Sequence, residues 1–136
     1  MDAADDVPTV YVLDDDAAVR TALARLLRSA NMRAVVFASV DELLAQETPN
    51  PHSCVVADIR MQGTRALALP RLLQARGVHV PVIFVSAQDT EQTRADAREA
   101  GAAGFFRKPV DDQALVDAIA WAVGHSPPQA QAKQAP

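Results

Sequence analysis

Three consecutive aspartates, Asp14 to Asp16, follow the apolar run VYVL. Asp58, Ser86 and Lys108 follow three later strand-like runs. Two ionised carboxylates about 4 Å apart repel each other by roughly 4 kcal/mol at an effective dielectric constant of 20. A shared site therefore needs a divalent cation, and oxygen ligands suit Mg²⁺. An aspartate beside that ion could attack phosphorus and form an acyl phosphate, with Ser86 and Lys108 binding the phosphoryl oxygens.

The segments that must position these residues alternate between strand-like and helix-like patterns, which is typical of an α/β protein. Several strand candidates are continuously apolar, as central parallel strands are when helices cover both faces. The strand candidates are Val10–Leu13, Ala34–Phe37, Cys54–Ala57, Val80–Val85 and Gly104–Arg107. Ligands of open parallel sheets bind beyond the carboxyl ends of the strands. The pattern therefore predicts that the acids, the hydroxyl and the ammonium group meet at one edge of a doubly wound sheet.

Two amphipathic helices are predicted where apolar residues recur at helical spacing, in 19–27 and 115–123. Asp16 is expected to cap the first of these helices. Ser39, followed by Glu42 three residues later, forms a capping-box signature and predicts a short second helix.

The third and fourth helices have weaker patterns. The third is predicted over 67–76, with Pro70 in its first turn and Gly77 at its end. The fourth, in TEQTRADAREAG, has only alanines as apolar side chains. Because helices gain most of their stability from packing, we expect this helix to be easily shifted.

Length and composition indicate one domain of 136 residues. A formal charge of −4 and a pI near 5.2 argue against direct nucleic-acid binding. The acidic start differs from a signal peptide, and no apolar run approaches the ~18 residues of a spanning helix. We therefore expect a cytoplasmic protein without a membrane segment. The predicted organisation is an N-terminal extension at 1–7, a domain at 8–124 and a Pro-, Gln- and Ala-rich tail or linker at 125–136.

The remaining distinctive side chains are predicted to have structural roles. Cys54 is the single cysteine and lies in an apolar run, which predicts a buried thiol. Trp121 and the three methionines are expected to pack in the core. The three histidines lack metal-ligand spacing and are expected at the surface or in loops; they are His52, His79 and His125.

Four motifs, VYVLDDDAAVR, CVVADIRM, PVIFVSA and GFFRKP, resemble in content and order those of the receiver domains of two-component response regulators. The resemblance covers about residues 8–123 and is closest to receivers that precede LuxR-type helix-turn-helix domains. It implies a flavodoxin-like (βα)5 fold with strand order 2-1-3-4-5. It also implies phosphoryl transfer from a sensor histidine kinase. The face formed by the fourth helix, fifth strand and fifth helix would then control dimerisation or an effector, in transcription regulation.

The resemblance also implies a role for each acidic residue. Asp58 matches the aspartate that is phosphorylated. Asp15, Asp58 and the backbone carbonyl of Arg60 match direct Mg²⁺ ligands, whereas Asp14 matches a residue that binds the ion through water. Asp14 and Asp15 would thus hold the metal ion, while Asp16 caps the first helix.

Residues after the last two strands match the parts that respond to the phosphoryl group. Ser86 matches the switch hydroxyl, and Lys108 matches the lysine that pairs with the phosphoryl group. Pro109 is the candidate for a cis peptide bond. Phe105 matches the aromatic switch position, although a fixed core aromatic residue is an equal alternative.

The loop 61–66 departs from the family pattern, because one proline and one glycine are missing. Proline fixes φ and glycine permits positive φ, so this loop is expected to follow a different path. The change removes no reacting group. Arg60 and Gln88 occupy positions that influence how fast the family loses its phosphoryl group.

Two other functions are compatible with parts of the sequence. The altered loop would suit a degenerate receiver that acts as a phosphorylation-independent protein-interaction module. The D-x-D within the three aspartates would suit a phosphatase with an aspartate nucleophile, but the chain has little room for a substrate cap. We expect no enzymatic turnover beyond self-phosphorylation and self-dephosphorylation.

Overall fold

A computed structural model describes residues 7–46, 52–61 and 66–125. The strands are β1 (Thr9–Leu13), β2 (Arg33–Phe37), β3 (Ser53–Asp58), β4 (Val82–Ser86) and β5 (Gly104–Arg107). The helices are α1 (Ala17–Ser29), α2 (Val40–Leu44), α3 (Leu69–Ala75), α4 (Glu91–Glu99) and α5 (Asp112–His125). Most of the predicted N-terminal extension, the centre of the loop 61–66 and all but the first residue of the predicted tail lie outside the described residues.

The five strands form one parallel sheet in the order β2-β1-β3-β4-β5, which confirms the predicted order. Leu13 is paired with Ala57, and Asp58 is paired with Val85. Ser86 is paired in turn with Arg107. This register brings the carboxyl ends of four strands to the same level, so the residues that follow them share one edge of the sheet.

The core has two layers because alternate strand residues point to opposite faces of the sheet. On one face, Tyr11, Leu13 and Phe84 pack with buried residues of α2, α3 and α4. On the other face, Val12 and Ile83 pack with buried residues of α1 and α5. Helices therefore cover both faces, as in a doubly wound sheet.

The predicted helix caps are confirmed at α1 and α2. Asp16 Oδ1 accepts hydrogen bonds from the amides of Ala18 and Val19, at 2.9 and 3.4 Å. Ser39 Oγ accepts from the amide of Glu42, whose carboxylate accepts from the amide of Ala38. Both helices therefore begin where a side chain satisfies free backbone donors.

Several predicted boundaries differ from the structure by one or two residues, and β1, β2 and β3 each begin one residue earlier than predicted. β4 begins at Val82 rather than Val80, because Pro81 has no amide hydrogen to donate, although its carbonyl accepts from Val55 N at 2.9 Å. β3 and β4 each extend one residue further than predicted, so Asp58 and Ser86 are the last residues of their strands. α3 begins at Leu69, and Pro70 lies in its first turn as predicted.

α4 is weakly anchored, as its sequence predicted. Ala97 is its only buried residue. Ala95 and Ala100 are half-buried. Because alanine offers a single methyl group for burial, this helix gains little free energy from apolar packing.

Trp121 corrects one prediction. Its side chain is 62% exposed on α5 and stacks on His125, with ring centroids 4.2 Å apart. The buried residues of α5 are Leu115, Ile119 and Ala122, so the indole lies outside the buried stripe of the helix. Met32 and Met61 are buried as predicted, whereas Met1 lies outside the described residues.

Cys54 should be inert to thiol reagents in the folded protein. It is fully buried in β3, and burial raises the pKa of its thiol to about 12, so almost no thiolate forms near neutral pH. We expect one equivalent of Ellman's reagent to react only after denaturation with guanidinium chloride. Prompt reaction of the native protein at pH 8 would contradict this burial.

Among the helices of the described residues, none is long and apolar enough to cross a membrane.

Candidate functional site

The side chains singled out in the sequence come together at the carboxyl edge of the sheet. Asp14 directly follows β1, Asp58 ends β3, Ser86 ends β4 and Lys108 directly follows β5. Asp14, Asp58 and Ser86 are at least nine-tenths buried. The four strands thus place two carboxylates, a hydroxyl and an ammonium group around one shallow site.

Lys108 lies at the centre of this site. Its Nζ donates to Asp14 Oδ2 and to Asp58 Oδ2, each at 2.9 Å. The Lys108 amide donates to the carbonyl of Ser86 at 2.8 Å, which fixes the backbone where the side chain begins. The Lys108–Pro109 peptide bond is cis, the isomer that the resemblance implied.

The charge of Lys108 follows from these contacts. Burial alone would lower the pKa of the ammonium group, but its hydrogen bonds to Asp14 and Asp58 outweigh burial and raise the pKa above the ordinary 10.5. Lys108 is therefore cationic throughout the neutral range. It partly offsets the repulsion between two carboxylates that would otherwise be buried side by side.

Backbone amides hold both carboxylates in place. Asp14 Oδ1 accepts from the amide of Asp16 at 2.9 Å, and Asp58 Oδ1 accepts from the amide of Arg60 at 2.9 Å. Arg20 from α1 donates to the backbone carbonyl of Asp14 at 2.6 Å. Each carboxylate therefore accepts a hydrogen bond from a backbone amide with one oxygen and from Lys108 with the other.

The three acids predicted to bind a metal ion do lie close together. Asp14, Asp15 and Asp58 each offer an oxygen, and these oxygens lie within 4.8 Å of one another. Opposite ligands of an octahedral Mg²⁺ lie about 4 Å apart, given bonds of about 2.0–2.1 Å. The side chain of Asp15 is exposed to solvent, whereas that of Asp14 is buried. The donor set, all oxygen and largely carboxylate, fits Mg²⁺.

Ser86 and the loop after β4 form the other wall of the site. Ser86 is fully buried, and its Oγ accepts a hydrogen bond from the amide of Gln88 at 3.0 Å. The guanidinium of Arg60 donates to the side-chain oxygen of Gln88. This contact joins the loop after β3 to the loop after β4 and pairs the two positions that the resemblance linked to phosphoryl loss.

Phe105 lies at the rim, on the α4 side of the sheet. It is half-buried and packs against the core layer beneath α2, α3 and α4. The guanidinium of Arg94 lies over its ring, 5.3 Å from the centroid. No sequence pattern singled out Arg94 or Arg20, because neither lies at the end of a strand and each contacts a residue in another segment.

Known proteins resemble the chain in both sequence and structure. A sequence model of the response regulator receiver domain matches residues 10–120. The transcriptional regulatory protein TdiR of Thauera aromatica is 40% identical over 82% of this chain, and FixJ of Azorhizobium caulinodans is 36% identical over 93%. The chain spans only 49% and 60% of those two proteins, respectively.

Two solved structures extend the similarity to the fold. The response regulator StyR matches with a TM-score of 0.80 and 36% identity, over 94% of this chain and 65% of that protein. A receiver protein from Burkholderia phymatum matches with a TM-score of 0.74 and 38% identity, over 86% of this chain and 95% of its own. The chain therefore belongs to the response regulator receiver domain family, as its four motifs predicted.

Proposed function

We propose that Asp58 accepts a phosphoryl group from a histidine of a sensor kinase. The observation that carries this proposal is the position of its carboxylate, held between the Arg60 amide and Lys108 and within 4.8 Å of two further acidic oxygens. Asp14 and Asp58 are two carboxylates buried close together at this edge, which is electrostatically unfavourable. Their cost in electrostatic repulsion is offset if they bind a cation and an anionic phosphoryl group.

The transfer is a nucleophilic substitution at phosphorus. An oxygen of Asp58 attacks the phosphorus, the new O–P bond forms an acyl phosphate, and the P–N bond to the kinase histidine breaks. The leaving imidazole nitrogen takes up a proton. Lys108 binds a phosphoryl oxygen, since its ammonium group already lies on Asp58, and the hydroxyl of Ser86 donates to another.

The metal ion implied by the family would be held by the acidic cluster. Asp15, Asp58 and the backbone carbonyl of Arg60 are the proposed direct ligands of Mg²⁺, and Asp14 is the proposed ligand through water. The bound ion would supply positive charge beside the phosphoryl oxygens. The residues of the chain would orient the nucleophile and bind the group that is transferred.

The family and its relatives support a proposal for the downstream role. We propose a cytoplasmic module whose face formed by α4, β5 and α5 changes on phosphorylation and controls dimerisation or an effector. The predicted tail at 125–136 would link it to an effector such as a LuxR-type helix-turn-helix domain. Transcription regulation is the proposed output, since two curated relatives are transcriptional regulatory proteins. The module would turn over no substrate other than its own phosphoryl group.

Incubation with acetyl phosphate tests the proposal without the kinase. With Mg²⁺, we expect the intact mass to rise by one phosphoryl group, and with EDTA we expect no rise. Asp15→Asn should slow labelling about tenfold or more by weakening Mg²⁺ binding. Asp16→Asn is the matched control, since asparagine caps a helix about as well as aspartate, and it should label like the wild type.

Two results would contradict the proposal. Equal labelling in EDTA would show that no divalent cation takes part. No mass gain, together with no response to beryllofluoride, would favour the phosphorylation-independent interaction module instead.

A further inference from the structure

Arg94 connects three elements that surround the proposed switch residues. From α4, its guanidinium pairs with both carboxylate oxygens of Asp89, with Nη2 to Oδ2 at 3.0 Å. The same guanidinium lies 5.3 Å from the centroid of the Phe105 ring in β5. One side chain thus bridges the loop 87–90, the first turns of α4 and the edge strand of the sheet.

This bridge acts where the rest of the packing is weak. Ala97 is the only buried residue of α4, so apolar contacts alone hold the helix loosely. Asp89 directly follows Gln88, whose amide donates to Ser86 Oγ at 3.0 Å. A movement of the Ser86 hydroxyl toward a phosphoryl group would therefore pull on the loop that Arg94 holds.

The pKa shifts of Asp89 and Arg94 favour an ion pair that stays formed near neutral pH. The hydrogen bond from Arg94 lowers the pKa of Asp89, and the same bond raises the pKa of Arg94. Both side chains are therefore charged under the conditions in which a receiver would act. Planar stacking on an aromatic ring and a two-point carboxylate contact are both properties that arginine has and lysine lacks.

We propose that Arg94 is a positioning residue that restrains the phosphorylation response by holding Asp89 and Phe105 in an arrangement that a bound phosphoryl group disfavours. This inference rests on the proposed function. A contact made in only one of two arrangements stabilises that arrangement, so a ligand that favours the other arrangement binds less tightly while the contact remains. Loss of Arg94 then favours the responsive arrangement.

Beryllofluoride binding with Mg²⁺ measures the restraint, because beryllofluoride mimics a phosphoryl group on aspartate. Arg94→Ala should bind it about fivefold more tightly than the wild type, as expected for an allosteric coupling of ordinary size. Arg94→Lys, which keeps the charge but not the planar fork, should fall between the two. Arg98→Ala is the matched control: Arg98 is exposed on the same helix and forms no ion pair within the described part of the chain.

Amide hydrogen exchange without beryllofluoride tests the bridge itself. Exchange in 87–90 and 104–107 should be faster in Arg94→Ala than in the wild type and unchanged in Arg98→Ala. A merely structural role for Arg94 would speed exchange but leave the affinity for beryllofluoride unchanged, and that result overturns the proposal.

The remaining outcomes separate this inference from the proposed function. Weaker binding by Arg94→Ala also overturns the inference, because Arg94 would then support the responsive arrangement. If the wild type binds beryllofluoride and all variants bind it equally, the inference fails and the proposed function stands. If the wild type does not bind it at all, the proposed function fails, and the restraint on phosphorylation fails with it whatever the exchange data show.

Discussion

Asp58→Asn should abolish the mass gain from acetyl phosphate. The amide nitrogen of asparagine cannot attack phosphorus. Asp58 is also the carboxylate of the described site that accepts hydrogen bonds from both Lys108 and the Arg60 amide. The variant should still fold, because asparagine has the same shape and its remaining oxygen can accept one of these two hydrogen bonds. We expect the free energy of unfolding to change by no more than about 1 kcal/mol.

Circular dichroism and intact mass, measured on the same sample, check this expectation. Asp16→Asn again provides the control, because it removes a charge two residues from Asp14 while keeping the helix cap. A full phosphoryl gain on folded Asp58→Asn would mean that another side chain is the acceptor. Peptide mapping of the labelled protein would then identify that side chain.

Lys108→Ala should reduce both phosphorylation and stability. The substitution removes the donor to Asp14 and Asp58 and leaves Asp14, which is 1% exposed, without its cationic partner. We expect a loss of about 1–3 kcal/mol in the free energy of unfolding. The rate of labelling should fall about 100-fold, as when one donor to a developing anion is removed from an active site.

Urea unfolding and labelling rates measure the two effects. Arg107→Ala is the matched control, since Arg107 is the exposed neighbouring cation in β5, and it should change neither quantity appreciably. Stability of Lys108→Ala within 0.5 kcal/mol of the wild type would contradict a structural role for the ammonium group; such a small change is typical of surface substitutions, about ±0.5 kcal/mol.

The pH dependence of this contribution has a definite sign. The folded protein raises the pKa of Lys108 above its ordinary 10.5. A raised pKa means that the charged lysine stabilises the fold at all pH values below its unfolded pKa, and that this stabilisation is lost as the pH rises through the folded pKa. The difference in stability between wild type and Lys108→Ala should therefore show no decline from this lysine between pH 6 and 8, and should decline above about pH 10.5.

The local order of strands, helices and reacting residues could be predicted from the sequence. Short β-rich runs predicted all five strands, and the positions of Asp58, Ser86 and Lys108 beside strand ends predicted a shared site. This works because a buried parallel strand must be apolar throughout, while the residue at its carboxyl end faces the edge. Helix caps were equally predictable, since Asp16 and Ser39 act on amides only two or three residues away.

The tertiary structure decided the contacts between residues that are distant in sequence. Lys108 and Asp14 are 94 positions apart, and the atoms that pair depend on strand register and side-chain rotamers. The contacts of Arg60 with Gln88 and of Arg94 with Phe105 have no periodic signal for the same reason. The exposure of Trp121 was also missed, because a large apolar residue is expected inside unless the helix face that carries it is known. Hydrophobic pattern and capping act over a few residues and therefore predicted the order of strands and helices along the chain, whereas the geometry of the site depends on packing across the whole sheet.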